Sequence, residues 1–291
     1  MKSNSALNLQ KLPRAEGLFI IAGYLVLAGF SLVLVALVAA IFVDGISRLN
    51  WEFLTGLPSR FPSEAGVLAA VAGSFALSVL VLLISFPVGV GAAIYLEEYC
   101  ADRFGQSRFF WLVELNLTNL AVVPPIVYGL LGLVLFVRML ALGESLIAGA
   151  LTLSLLVLPI VVISSREALR AVPRSAREAS FALGASRWQT VYHQVLPRAL
   201  PGILTGTILA LSRALGETAP LIMIGALAYV AFLPDSMFAP FSALPVQIFN
   251  WITRPQTGFH QNAAAAITLL LPVVLLLNSL AIWLRNRYER K

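Results

Sequence analysis

The chain has 291 residues, of which 59% are hydrophobic and only 12% are charged. A soluble domain carries about a quarter charged residues because its surface must face water, so this composition excludes an ordinary soluble protein. The net charge of +6 would suit a nucleic-acid binder, but the basic residues cluster beside apolar stretches, and we therefore predict a membrane protein.

Six apolar stretches are long enough for a helix to cross the roughly 30 Å hydrocarbon core of a bilayer. They cover residues 17–43, 67–96, 110–137, 146–164, 203–232 and 263–284. We therefore predict an all-α, polytopic membrane protein with about six transmembrane helices. The third and fifth stretches exceed a simple span and contain Pro or Gly, which predicts bends or broken helix ends there.

The distribution of basic residues predicts the orientation of these spans. If both termini are cytoplasmic, fifteen of the 20 Lys and Arg residues lie on the cytoplasmic side, as the positive-inside bias requires. These fifteen are Lys2, Lys11, Arg14, Arg103, Arg108, Arg166, Arg170, Arg174, Arg177, Arg187, Arg198, Arg285, Arg287, Arg290 and Lys291. The outside set is Arg48, Arg60, Arg138 and Arg254.

Several polar and aromatic residues lie near the predicted span ends. We expect Glu97 and Glu98, at the end of the second span, to be solvated or paired with Arg103 or Arg108. Glu114 is expected to reach towards the membrane interface. The indoles near span ends, which favour the interface, belong to Trp51, Trp111, Trp251 and Trp283.

The cytoplasmic loop 165–200 carries signals for two short helices. Pro173 suits the first turn of the first helix, and Gly184 can end it in a left-handed conformation. Ser186 stands three residues before Gln189, which is a capping-box pattern for the second helix. We therefore expect a helix, a glycine turn and another helix.

The second loop helix is expected to end before Pro197 and Pro201, so that the loop projects as a compact knob. Its apolar side chains are Phe181, Leu183 and Trp188, which need a partner surface. The alternative is a helical pair that lies on lipid headgroups, with its arginines held by anionic lipid.

A sequence resemblance favours a partner protein over lipid headgroups as the surface that this loop contacts. The segment Glu178-Ala179-Ser180, followed by Gly184 and by Leu196-Pro197, resembles the EAA loop of bacterial ABC importer permeases, with Ser180 in place of the usual second alanine. The resemblance implies coupling helices that dock into a groove on a cytoplasmic ATPase subunit. We assign this coupling role to Glu178, Ala179, Phe181, Leu183, Gly184 and Trp188.

An arginine and a glutamate lie within the fifth predicted span. An arginine at the centre of a lipid-exposed helix costs from ~2.5 to more than ~10 kcal/mol, so Arg213 must face the bundle interior or a water-filled cavity. Glu217 follows four residues later, on the same helical face, where the two can pair. A purely structural ion pair is the alternative, but buried ion pairs stabilise proteins weakly, which favours a pathway role.

The chemistry of this pair favours an anion. A guanidinium presents a planar fork that matches the oxygens of phosphate or carboxylate. Glu217 can hold Arg213 in the empty site and repel an anion that lingers. Moving a doubly charged anion inward against ~100 mV costs about 4.6 kcal/mol, so uptake needs an energy source. We predict a substrate pathway at Arg213, Glu217 and Thr218.

Further segments extend the resemblance to phosphate importer permeases of the type I ABC importer family. They are Ala93-Ile94-Tyr95-Leu96-Glu97-Glu98-Tyr99, Asn119-Leu120-Ala121 with Pro124, Ile126-Val127-Tyr128-Gly129-Leu130-Leu131-Gly132, Gly216-Glu217-Thr218-Ala219-Pro220 and Leu244-Pro245-Val246-Gln247-Ile248. The Glu-Thr-Ala-Pro form and the Gln247 loop resemble the PstA-type subunit. This implies a permease subunit that forms half of the translocation pathway of an ATP-driven phosphate importer in the bacterial inner membrane.

The resemblance also implies partners: a PstC-like permease in a heterodimer, a PstB-like ATPase dimer below, and a PstS-like phosphate-binding protein outside. Residues 1–66 are expected to hold the N-terminus, first span and outside loop. Residues 67–284 would form the ABC importer transmembrane core with its coupling loop, and residues 285–291 a basic cytoplasmic tail.

We do not expect enzymatic activity in this chain. A P-loop closes its glycine run with Lys-Ser or Lys-Thr, whereas Lys2, Lys11 and Lys291 lie at the termini. With one cysteine and no metal-ligand spacing, no cofactor or metal is expected either. An ion-gradient transporter or channel and a non-transporting scaffold remain alternatives, although neither explains both the loop and the intramembrane pair.

Overall fold

The computed structural model describes residues 14–100, 108–226 and 229–289, with side chains described for 17–100, 111–226 and 229–287. Its first six helices are α1 (Arg14–Ile46), α2 (Trp51–Thr55), α3 (Leu68–Ile94), α4 (Arg108–Val122), α5 (Pro125–Gly132) and α6 (Leu146–Arg170). The others are α7 (Arg174–Ala182), α8 (Arg187–Thr190), α9 (Leu196–Gly216), α10 (Ala219–Met223), α11 (Leu244–Ile252) and α12 (Thr257–Glu289). Short π-helical turns extend α3 and α5 and join α8 to α9: Tyr95–Cys100, Leu133–Met139 and Val191–Val195.

Most of the long helices have the length and apolar composition of membrane spans. Among the described residues, the five that do are Gly17–Ile46, Leu68–Cys100, Leu146–Arg170, Arg187–Gly216 and Thr257–Arg287. A sixth crossing is formed only by a pair of helices, Trp111–Val122 and Pro125–Met139, bent by 99°. The predicted all-α fold with about six spans is confirmed, as is the bend in the third stretch, where two prolines interrupt the helical hydrogen bonds.

The fifth span begins and ends earlier than the predicted stretch 203–232. Its helix starts at Arg187 and runs through Pro197, so the expectation that the second loop helix ends before this proline is wrong. A π turn precedes the proline, and its wider hydrogen-bonded ring accommodates the pyrrolidine within a continuous helix. At the other end the helix stops at Gly216, and the chain continues as α10 and an irregular segment, so the expected broken end is confirmed.

The main core lies where α6 packs between α3 and α9. Glycines allow the close approach of these helices: a Cβ at Gly89 of α3 would lie 2.7 Å from Val161, and one at Gly202 of α9 would lie 2.7 Å from Ala168. The hydrophobic side chains of this core include Leu77, Val81, Leu153, Val157, Val161, Leu169 and Ile203. Burial of these side chains fixes how the three helices pack against one another.

A second core closes the opposite end of the bundle from the loop that contains α7 and α8. The rings of Phe53 in α2 and Trp251 in α11 lie 5.9 Å apart between centroids. The expectation that Trp251 lies at the interface is therefore wrong, because its indole is buried in this contact, whereas Trp51 is exposed. Arg48 joins the same end by donating to Asn262 Oδ1 at 3.0 Å.

Helix α1 lies at the edge of the bundle and packs against α12. A Cβ at Gly45 would lie 2.6 Å from the carbonyl oxygen of Ala264, so the two helices touch closely near the end of α1. The apolar side chains along Gly17–Ile46 are otherwise largely exposed. An apolar helix with such exposure suits contact with lipid tails.

Gly73→Ala should lower the stability of the purified protein in detergent. A Cβ at Gly73 of α3 would collide with the carbonyl oxygen of Ser242, and overpacking costs about 1–3 kcal/mol. The thermal midpoint should fall by roughly 3–10 °C. The matched control is Gly23→Ala in α1, where nothing in the described part of the chain lies within 4 Å of the new Cβ. An equal midpoint for both variants would contradict this packing.

Candidate functional site: an intramembrane ion pair and a helical loop

The predicted pairing of Arg213 with Glu217 is present in the structure. Arg213 lies in the last turn of α9, and its Nε donates to Glu217 Oε1 at 3.3 Å. A cation is favoured at this position because the C-terminal end of a helix carries partial negative charge. Glu217 follows the helix with an extended backbone, so its carboxylate reaches back to the guanidinium.

The pair lies at mid-depth of the helical bundle. The neighbouring Ser212 hydroxyl donates to the carbonyl of Val274 at 3.4 Å, and Val274 lies near the middle of α12. The Arg213 side chain is 45% exposed and that of Glu217 is 18% exposed. Because a lipid-facing guanidinium at this depth is costly, the exposed side of Arg213 needs water, an anion or a partner protein surface.

Two helix breaks meet beside this pair. The bend between α4 and α5 approaches the break between α9 and α10, such that a Cβ at Gly129 would lie 2.7 Å from Pro220 Cα. The Tyr128 hydroxyl closes the bend by donating to the Leu120 carbonyl at 2.7 Å. Thr218 begins the step into α10. Broken helices inside a membrane protein provide backbone groups for substrates and ions.

Tyr128 and Gly129 belong to one of the motifs on which the family resemblance rests, but the sequence alone indicated no role for either residue. The structure shows that the Tyr128 hydroxyl closes the bend and that Gly129 lets α5 approach α10. The two proline-containing motifs carried the signal, since each predicts a local helix break. Their contact depends on packing between distant segments and could not be read from either motif.

A cavity lies along α9 on the loop side of Arg213. Leu209 lies one turn before Arg213 on the same face of α9, and it lines this cavity of about 430 Å³ between α6, α9 and α12. The charged residues that line the cavity are Glu167, Arg198 and Arg285. Charged residues therefore line a cavity that begins one helical turn from Arg213.

The predicted helix–turn–helix loop is confirmed. Pro173 directly precedes α7, one position earlier than expected, and Gly184 ends the turn with φ of +82°. Ser186 and Gln189 form both hydrogen bonds of the predicted capping box. The Gly184 N–H donates to the Phe181 carbonyl at 2.9 Å, which closes the end of the helix.

The apolar side chains of the loop are exposed, as the knob interpretation requires. Leu183 is 89% exposed and Trp188 is 61% exposed, and Phe181 is exposed as well. Glu178 and Ala179, the matching positions of the EAA motif, lie on the exposed part of α7. Large apolar groups gathered at one exposed site indicate a contact surface.

Glu97 and Glu114 have different partners from those expected. Arg170 Nε donates to Glu97 Oε2 at 2.9 Å, and Arg166 Nη2 donates to Glu114 Oε1 at 3.3 Å. Arg103 and the side chain of Arg108 lie outside the described residues. Sequence reasoning assigned Glu114 no partner within the chain, but α4 packs beside α6 and brings its carboxylate to these arginines.

Glu98 also differs from its expected solvated state, since it is buried and bonded to Arg177 of the loop at 2.6 Å. The signal that sequence reasoning missed was the joint occurrence of two acids at the end of one span and several arginines at the same end of another. Opposite charges at the same end of two adjacent membrane helices tend to pair.

Residues 85–291 match the family model described as "Binding-protein-dependent transport system inner membrane component". The chain belongs to this family. An inner membrane component of such a system is a permease. The family assignment therefore confirms the resemblance to ABC permeases that the sequence motifs indicated. The family also agrees with the several apolar helices of a multi-pass membrane protein.

Curated relatives of this inner membrane component cover most of the chain. The probable ABC transporter permease protein YqgI of Bacillus subtilis is 32% identical over 95% of this chain and 96% of the relative. The phosphate transport system permease protein PstA of Mycobacterium leprae is 35% identical over 82% of this chain and 78% of its own. PstA of Haemophilus influenzae is 37% identical over 82% of both chains.

Solved structures share the fold. A chain of the MetNI methionine ABC transporter in an inward-facing conformation aligns with a TM-score of 0.57 at 21% identity, over 77% of this chain and 94% of its own. A bacterial ABC transporter involved in the import of alginate gives 0.56 at 15% identity, over 80% of both chains. At these identities the likeness supports the permease fold and carries no information on substrate.

Proposed function

We propose that this chain is the membrane-spanning permease subunit of an ATP-driven phosphate importer and forms half of its translocation pathway. The observation that carries the proposal is the half-exposed Arg213 guanidinium, which is paired with Glu217 where α9 breaks at mid-depth. An uncompensated cation would be expelled from this depth, and a guanidinium matches a tetrahedral oxyanion in charge and geometry. The PstA relatives support phosphate as that oxyanion.

The Arg213–Glu217 pair can act both in the empty pathway and in the pathway that holds phosphate. Without substrate, Glu217 neutralises Arg213 through a single 3.3 Å hydrogen bond. An arriving phosphate can bind the remaining N–H groups of the fork and displace the carboxylate. Glu217 then lies next to a bound anion and repels it, which favours release. Thr218, at the break, supplies a hydroxyl beside the same point of the pathway.

The loop couples this pathway to a separate ATPase subunit in our proposal. Leu183, Trp188 and Phe181 would enter an apolar groove of a PstB-like ATPase, and Glu178 and Ala179 would lie at its edge. Gly184 keeps the tip in its left-handed turn. ATP would be hydrolysed on that subunit, since this chain lacks a P-loop sequence, and no cofactor is assigned to the chain itself.

The remaining partners follow from the same relatives. A PstC-like permease would complete the pathway as a heterodimer, and a PstS-like protein would deliver inorganic phosphate from outside. Both termini and the loop would face the cytoplasm of a bacterial inner membrane, as the distribution of basic residues favours. In this orientation the charged cavity on the loop side of Arg213 would open towards the cytoplasm.

Phosphate uptake by the full complex should depend on ATP. Proteoliposomes that hold this chain, the PstC-like permease and the PstB-like ATPase, with ATP inside and the PstS-like protein outside, should accumulate labelled phosphate more than about tenfold above ATP-free vesicles. Excess unlabelled sulfate should not compete. Uptake by this chain alone under a proton or sodium gradient would support the ion-gradient alternative instead, and equal transport of sulfate would contradict phosphate specificity.

A further inference from the structure

Glu98 joins the membrane bundle to both helices of the loop. It lies in the π turn Tyr95–Cys100 that ends α3, and it is 9% exposed. Its carboxylate accepts from Arg177 of α7, with Nη2 to Oε1 at 2.6 Å and Nε to both oxygens at 3.2 Å. Its backbone carbonyl accepts from Arg187 Nη1 of α8 at 2.6 Å. We call Glu98, Arg177 and Arg187 the Glu98 junction.

Arg177 holds a third element as well. Its Nη1 donates to the carbonyl of Val172 at 2.7 Å, and its Nη2 donates to the carbonyl of Leu169 at 2.9 Å, at the end of α6. One rigid guanidinium therefore connects α3, α6 and α7. Its planar fork fixes the relative positions of these elements in a way that a flexible ammonium could not.

The π turn explains how Glu98 reaches this position. A π turn inserts an extra residue into the helical repeat and rotates the side chains that follow it. Glu97 and Glu98 are adjacent in sequence yet serve different partners: Glu97 pairs with Arg170 of α6, and Glu98 pairs with Arg177 of the loop. The turn thus directs one carboxylate towards the bundle and the next towards the loop.

From this junction, α3 leads back to the intramembrane pair. Ser74, Leu77, Ser78 and Val81 of α3 line a small cavity together with Ala214 and Leu215, the two residues after Arg213. Pro87 removes one backbone hydrogen bond from α3 between these two points, but the helix is unbroken from Leu68 to Ile94, and its other hydrogen bonds resist local deformation. A movement of the loop would therefore reach the surroundings of Arg213 through α3.

We propose that the Glu98–Arg177 pair is a positioning device that transmits movement of the ATPase-docked loop to α3. This inference rests on the proposed function, because it gives the route by which ATP hydrolysis changes the anion site. The pair has the properties that such a link requires: it is nearly buried, it is bonded through several hydrogen bonds, and it joins the end of a span to the helix that carries Glu178.

The test is the amount of phosphate transported per ATP hydrolysed in the reconstituted complex. Glu98→Gln removes the charge while keeping the shape of the side chain, and Arg177→Lys keeps the charge while losing the fork. Transport per ATP should fall at least about tenfold in Glu98→Gln, with a smaller fall in Arg177→Lys, while ATP hydrolysis and copurification of the ATPase persist. Arg174→Gln is the matched control, since Arg174 is exposed one turn earlier on α7.

Two results would overturn the proposal. Transport per ATP at the wild-type value in an assembled Glu98→Gln complex would show that the pair transmits nothing. Loss of ATPase copurification together with equal losses of hydrolysis and transport would show that the pair only holds the fold together. ATP-driven phosphate uptake by the wild type in the same vesicles tests the proposed function separately, because a failure there is independent of either variant.

Discussion

Arg213→Ala should reduce ATP-driven phosphate uptake by at least about 100-fold while the complex still assembles. A bound phosphate would cover the exposed side of Arg213, and loss of one partner from such a covered charged contact costs about 2–5 kcal/mol, where each ~1.4 kcal/mol is about tenfold. The variant also leaves Glu217 without the guanidinium it pairs with. Initial rates of labelled phosphate uptake in reconstituted vesicles measure this effect, with copurification of the ATPase as the check on assembly.

Two companion variants separate the possible causes of that loss. Arg213→Ala/Glu217→Gln removes the bare carboxylate, so recovered uptake would show that repulsion by Glu217 caused the defect rather than loss of the anion contact. Arg213→Lys keeps the charge without the fork and should transport weakly. Arg138→Ala, an exposed arginine outside this site, is the control and should transport normally. Wild-type uptake in the assembled Arg213→Ala complex would contradict the pathway role.

Gly184→Val should uncouple the loop from the ATPase and reduce phosphate uptake by at least about tenfold. The φ of +82° at Gly184 is strained for a β-branched residue by about 1–3 kcal/mol, so the turn must change shape. No described residue lies within 4 Å of the new Cβ, so the expected cause is backbone conformation rather than a clash. ATPase copurification and ATP-dependent uptake are the measurements.

Asparagine provides the matched comparison at the same position. It tolerates the left-handed region far better than valine does, so Gly184→Asn should keep most of the uptake that Gly184→Val loses. Ala182→Val adds the same β-branched side chain two residues earlier, at an exposed helical position, and should couple normally. Coupled transport by Gly184→Val at the wild-type rate would count against a role for this turn.

The helical membrane fold and the loop could be predicted because their causes are local. A run of apolar residues predicts a span from its own length, and the Ser186–Gln189 capping box and the Gly184 turn each depend on a few neighbouring residues. The same local reasoning failed at Pro197, because it took the proline as a helix end. The π turn before Pro197 keeps the helix continuous.

The interior of the site depended on contacts between distant segments. Spacing alone predicted that Arg213 could pair with Glu217, because both lie on one helical face. The bonds of Glu98 to Arg177 and of Glu97 to Arg170 join residues more than 70 positions apart, and only packing of α3 against α6 and the loop creates them. Trp251 was assigned to the interface for the same reason, since its burial requires α2.

The break after Gly216 interrupts the helical hydrogen bonds beside the Arg213–Glu217 pair. Glu217 is extended and no helical ladder links α9 to α10, so α10 can swing about a few backbone dihedrals without unwinding either helix. Its contact with Gly129 would carry that swing into the neighbouring bent helix. In the proposed permease, a small rotation at this break would widen or narrow the phosphate pathway while the long helices keep their places.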